Sequence, residues 1–225
     1  MRDAQGSLVQ GRTRWRRFAA VFLPATALAG AIVIGMANGA IAASFAVSGH
    51  TFKLSADRLV ADGFAQYGGF AFEKDARTLP NGAPDLNDPK WHPVAISAIK
   101  EATITNLCQS VKVPNLPIPI VMRITAGTEA GNPATASTLL IDMEQLSGNA
   151  EFTNIQIGMD ASTLTKGGPN RGLQGQFGQQ ADRVVINGLR QVAWSTSAGT
   201  FRLNGLHLQV YARSSASDKE CFPDS

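Results

Sequence analysis

The chain has 225 residues, of which 16% are charged and 22 are glycine, with a formal net charge of +3. That length can bury a full hydrophobic core, and low charge with many small residues fits strand-rich exported proteins better than cytosolic helical ones. Five of the 20 basic residues (Arg2, Arg12, Arg14, Arg16, Arg17) and one of the 17 acidic ones (Asp3) precede residue 18. The remainder is near neutral and carries no cation cluster to displace counterions from phosphates, which excludes nucleic acid as a partner.

The N-terminus reads as an export signal. Residues 1–17 form a basic, cytoplasmic n-region ending in RTRWRR, and residues 18–43 (Phe18 to Ala43) carry no charge. Cationic, then apolar, then small is the order of a secretory signal. Ala40-Ile41-Ala42 supplies an A-x-A cleavage site between Ala42 and Ala43. The apolar run also exceeds the roughly 20 residues that span a bilayer as a helix. A cleaved signal peptide and a retained transmembrane anchor both fit. Either delivers residues 44–225 outside the membrane, as a cell-membrane or secreted protein.

Beyond residue 43 the apolar residues alternate in twos. Phe45 and Val47 begin the pattern, followed by Phe52, Leu54 and Ala56. Leu139, Ile141 and Met143 continue it, as do Ile155, Ile157 and Met159, and then Leu206, Leu208 and Val210. Period two marks half-buried strands. The alternation is broken by steps of three, at Ala56→Leu59, Ile104→Leu107, Met143→Leu146, Phe152→Ile155, Ile186→Leu189 and Leu203→Leu206. An uncompensated step would turn every later side chain to the wrong face. Asn187-Gly188 and Asn204-Gly205 are the favoured dipeptide of two-residue hairpins. Thr105-Asn106, Glu144-Gln145 and Thr153-Asn154 are poor hairpin turns and suit β-bulges or solenoid-like corners. Between the Asn-Gly copies, Val192 and Trp194 are expected to share a buried face, with Ser195 to Gly199 turning the chain back. Loops fall at 73–93, 112–120, 125–136 and 165–180, where Pro, Gly and small residues gather. The expected fold is all-β, a sandwich or a solenoid-like stack of about ten short strands with bulges and hairpins, preceded by one N-terminal hydrophobic helix.

The exported part holds Cys108 and Cys221. An even number of cysteines in an oxidising compartment reads as a disulfide, here one that staples the C-terminal tail to the strand near Cys108. With no C-x-x-C and no histidine nearby, the pair is not a metal site.

Catalytic patterns are sparse. There is no G-x-S-x-G nucleophile elbow. His207 falls on the polar face of a strand, His50 in a turn, and His92 at a loop end with nothing near in sequence to orient it. Ser97-Ala98-Ile99-Lys100 matches S-x-x-K, but reads as strand and lacks the companion motifs. Asp85 to Asp88 resembles a calcium loop only until Pro89, and the glycine-rich run 167–178 lacks the phosphate-binding pattern. No catalytic, cofactor-binding or metal residue is assigned.

The segments AASFAVSGHTFKLSADRL, GFAQYG, AISAIKEATITNLCQSV, FGQQAD, AWSTSAGTFRLNGL and KECF resemble an uncharacterised family of actinobacterial exported or membrane-anchored proteins, a domain of unknown function. The resemblance runs from the basic N-terminus to Cys221. It implies an envelope protein and no catalytic residues, although some members carry the label cholesterol esterase. The expected function is a non-enzymatic binding or structural β-domain for a lipid, another apolar ligand or an envelope protein. The alternatives are a lipid-ester hydrolase and a partner subunit of a membrane protein.

Overall fold

The computed structural model describes residues 47–113, 116–212 and 219–223. The expected N-terminal helix and the Ala42–Ala43 cleavage position lie outside these residues. Among the described residues no helix is long and apolar enough to cross a membrane. The described residues form nine strands, β1 (Phe52–Phe72), β2 (Trp91–Thr105), β3 (Leu107–Val113), β4 (Ile120–Ala126), β5 (Ala134–Thr153), β6 (Gln156–Asp160), β7 (Phe177–Ser197), β8 (Thr200–Arg202) and β9 (His207–Ala212), with one short 3₁₀ turn at Ala161–Thr163.

The all-β class is as expected, but the strands are not short and the architecture is neither a sandwich nor a stack. β1 and β7 each run 21 residues, and all nine strands belong to one antiparallel sheet. Three of the steps of three occur within strands (β1, β5 and β7), and the other three fall where one strand ends and the next begins. Four of the strands close a circuit: β1 pairs with β2, β2 with β5, β5 with β7, and β7 with β1. Following partners from Phe52 through Ala193, Met143 and Ala95 returns to β1 at Gly68. The strands therefore wind steeply about a common axis, and closing a sheet on itself removes exposed edges.

Ala56→Leu59, Ile104→Leu107 and Ile186→Leu189 are corners of this winding and lie in register, whereas Met143→Leu146 falls at register shifts between β5 and β7, a bulge as expected. Asp57-Arg58 of β1 faces Thr105-Asn106 on one side and Asn187-Gly188 on the other. Five residues along, Asp62-Gly63 faces Lys100-Glu101 and Asp182-Arg183. At the corners two consecutive side chains point outward, so the next apolar residue returns to the inner face. Left-handed backbone at Asn106, Asn154, Gly63 and Gly188 makes the rotation possible. Asn106 donates to Asp57 (3.0 Å) and Asn154 to Asp182 (2.7 Å), the same device used twice. At Gly63 a Cβ would lie 2.5 Å from the Lys166 carbonyl oxygen, so no side chain fits.

Both expected Asn-Gly hairpins are corrected. Asn187-Gly188 sits inside β7, paired on both edges. Asn204-Gly205 makes a turn closed by Leu206 N–H to Leu203 C=O (3.2 Å). It joins β8, which pairs with β5, to β9, which pairs with β4, so the flanking strands do not pair with each other. Only Gly205 of that pair has positive φ, whereas a type I′ turn needs both. The parity after Leu189 also differs from expectation: Gln191, Ala193 and Ser195 are buried, while Val192 and Trp194 face outward and β7 continues to Ser197.

The circuit encloses the main core: Leu54, Leu59 and Phe64 from β1, Ile99 and Ile104 from β2, Leu139, Ile141 and Met143 from β5, and Val184, Ile186 and Leu189 from β7. A smaller cluster on the outside (Ala65, Tyr67, Ala98, Ala161, Leu164) is covered by the 161–176 connection. Its Gly167 lies so close that a Cβ would meet Ala65 at 2.6 Å. β3, β4 and β9 extend from β1 as a wing. One face of the wing carries Cys108 and Ser110, and the tail lies on it. Cys108 and Cys221 are at disulfide distance, with Cα atoms 5.7 Å apart. The Cys221 N–H donates to Ser110 Oγ (3.0 Å), and Glu220 pairs with Lys53 (3.0 Å) and Lys112 (2.8 Å).

Candidate functional site

Inside the circuit lies an apolar cavity of about 60 Å³. Its walls are core side chains, Leu59, Phe64, Ile99, Ile141, Val184, Ile186 and Leu189 among them. Three polar residues interrupt this lining: Gln66, Ser97 and Gln191. The cavity reaches the surface beside the second half of β5. From Gln145 to Thr153 that strand pairs with β7 only, so Leu146 and Ala150, which line the cavity, are also exposed. Phe152 closes part of the gap, its ring 5.8 Å from that of Phe64.

The polar group is ordered from behind. Gln179 Nε2 donates to Gln66 Oε1 (2.7 Å), and Gln66 Nε2 donates to Ser97 Oγ (3.0 Å). This chain fixes the Ser97 hydroxyl as an acceptor from Gln66 and leaves its own proton to donate elsewhere. Gln191 is 2% exposed, and its Nε2 has no hydrogen-bond partner. A buried amide donor left unpaired costs about 1–3 kcal/mol, so it calls for an explanation. Among the described residues no Asp, Glu, Lys, Arg or His lines the cavity.

The residues singled out in the sequence do not converge on a catalytic group. Ser97 is buried and Lys100 exposed on β2, consistent with strand rather than a nucleophile helix. His92 is oriented after all, by contacts distant in sequence: its ring stacks on Trp194 (centroids 3.7 Å apart), and its Nε2 lies 3.0 Å from Glu73 Oε1. His207 pairs in register with Thr125 on the tail-side face of the wing. Asp88 accepts from the Arg77 (2.8 Å) and Lys90 (3.1 Å) amides, which lower its pKa, so the Asp85–Asp88 segment is a self-bonded loop. Among the described residues no group of three or more His, Cys, Asp or Glu side chains is placed to hold a metal.

Among the described residues two serine–carboxylate pairs lie outside the cavity, Ser162 with Asp160 (2.7 Å) beside the 3₁₀ turn, and Ser195 with Asp142. Ser195 Oγ donates to Asp142 Oδ2 (2.5 Å). Burial raises the Asp142 pKa against the opposing effect of that hydrogen bond. Burial, then the nearby Asp142 charge, pushes the Tyr67 hydroxyl up to about 12. Among the described residues no histidine is hydrogen-bonded to a serine, so no Ser–His pair is assembled. A second cleft, lined by Asp62, Lys100, Glu101, Lys166 and Asp182, follows the outer side of a corner. Its charges are mixed, and Lys166 is already paired with Asp182 at 2.7 Å.

Gln66 and Gln191 escaped sequence reasoning, yet a signal for them exists. The inward slots on β1 run Leu54, Ala56, Leu59, Ala61, Phe64, Gln66, and on β7 they run Val184, Ile186, Leu189, Gln191. An amide within or at the end of an otherwise apolar inward series marks a polar side chain turned into the core.

The match to known families covers this same region. Residues 48–222 match the model of a family of unknown function, DUF6230. The chain belongs to that family. No curated protein matches it, and no solved structure does.

Proposed function

We propose that this DUF6230 protein is an extracytoplasmic envelope protein whose β-domain binds an apolar ligand inside its strand circuit and carries out no chemistry on it. The observation that carries this reading is the side-open apolar cavity with three polar side chains, Gln66, Ser97 and Gln191, in its wall. Binding sites for small apolar molecules combine mostly apolar walls with a few placed polar groups. The 60 Å³ space admits a short end of a ligand, with the rest passing out between Leu146, Ala150 and Phe152. The export signal or anchor at residues 18–43 would place the domain beside the membrane, where such ligands reside.

The test is extraction of natively purified full-length protein followed by mass spectrometry of the extract. A co-purifying lipid is expected, reduced in Ala150→Phe, which places an aromatic ring at the mouth without disturbing the interior. Equal lipid in both proteins, or none in either, would contradict the reading. A second reading, partner subunit of a membrane protein, is supported by the uncovered apolar face of the wing. Co-purification of one defined membrane protein, lost in Val210→Asp, would favour it.

A further inference from the structure

We infer that the cavity selects neutral apolar molecules bearing one hydroxyl or ester oxygen, and that Gln191 and Ser97 read that oxygen. The inference rests on the ligand reading above and specifies its chemistry. Gln191 is enclosed and its Nε2 unpartnered, on the inner face between Leu189 and Ala193. It is the cross-strand partner of Leu146, so the amide stands beside the open flank of the cavity. Ser97, on the same lining, accepts from Gln66 and retains its own proton as a donor.

Two donors facing one apolar space suit a single acceptor oxygen. A hydroxyl suits them best, because it both accepts and donates and so pairs with either end of a carboxamide. A carboxylate is disfavoured: with no cation among the described lining residues it would be buried unpaired, which is far costlier than burying a neutral oxygen. A pure hydrocarbon would fill the space and leave the amide unsatisfied. A site built to hydrogen-bond an oxygen discriminates strongly against the analogue that lacks it.

The test uses ¹⁵N,¹³C-labelled full-length protein in nanodiscs, titrated separately with 1-hexanol, hexane and sodium hexanoate. The readouts are the Gln191 side-chain amide and the Ile141 and Ile186 methyls. Hexanol is expected to shift amide and methyls together and saturably, hexane the methyls alone, and hexanoate to bind at least about tenfold more weakly than hexanol. Gln191→Leu is expected to reduce hexanol affinity about tenfold, to the level of hexane. If hexanol and hexane shift the methyls alike while the wild-type amide stays still, the inference is overturned and the apolar-ligand reading survives; a trapped water on Gln191 gives this result. If nothing shifts the methyls, the ligand reading fails as well. The wild-type amide decides the first point even where the variant does not fold.

Discussion

The four-strand circuit and the three-strand wing share one sheet and put their apolar residues to opposite uses. In the circuit, corners keep the main apolar rows inward, and Leu59, Ile99, Ile141 and Val184 end up enclosed together. The wing has no corners, so its alternation gives two flat faces. One is covered by the tail through Cys221 and Glu220. The other aligns Met122 with Val210 and Ile124 with Leu208, and none of these four packs against a core cluster. Leu208 and Val210 remain 49% and 57% exposed. The same period-two pattern thus encodes a core in one region and an open surface in the other. The difference is the step of three.

The largest expected effect separates the two regions by stability. Leu107→Ala, at the junction of circuit and wing and 1% exposed, is expected to cost about 3 kcal/mol in urea unfolding. Val210→Ala on the open face should cost under about 0.5 kcal/mol. Similar losses for both would mean that the wing face is covered.

Next comes the staple. The native protein should show no free thiol on alkylation and mass measurement, and Cys221→Ser should lose roughly 2–4 kcal/mol. The loss should appear first in the wing, as faster amide exchange in β3 and β4 than in β1 and β7. Uniform acceleration would break the distinction between the regions.

The corners offer a smaller effect. Asn106→Ala and Asn154→Ala remove both a left-handed-tolerant residue and its bond to an aspartate, for about 1 kcal/mol each in thermal unfolding. Asn106→Gly should recover part of that loss, since glycine adopts the same backbone. No recovery would place the whole effect in the side-chain bond.

The smallest effect depends on pH. Burial raises the folded-state pKa of Asp142 above its unfolded value. The folded state therefore holds its proton more tightly, and stability falls as pH rises from about 3.8 through the raised value. Asp142→Asn, which keeps a carbonyl oxygen for Ser195, should gain stability over wild type at pH 7 and show little gain near pH 3. A gain independent of pH would assign the effect to something other than the buried charge.

The strands and most corners were legible in the sequence because period two and its interruptions are local. Ala56→Leu59, Ile104→Leu107 and Ile186→Leu189 could each be read singly. Their alignment across three neighbouring strands could not, because register is a property of the pairing. For the same reason Asn187-Gly188 looked like a hairpin: its backbone preference is local, while the two strands that flank β7 and hold it extended are not. Likewise His92 gains Trp194 and Glu73 only through the winding, and Gln191 shows its role only once Leu189 and Ala193 are known to face inward. The alternation of Leu206, Leu208 and Val210 correctly marked a strand, but not that its apolar side lies open.

The claim that the ligand enters the circuit rather than coating the wing is tested most directly by isotope-filtered NOE contacts between 1-hexanol and ¹³C-labelled protein. Contacts to the methyls of Ile141, Ile186 and Leu189 are the predicted result. Contacts confined to Leu206, Leu208 and Val210 would contradict it.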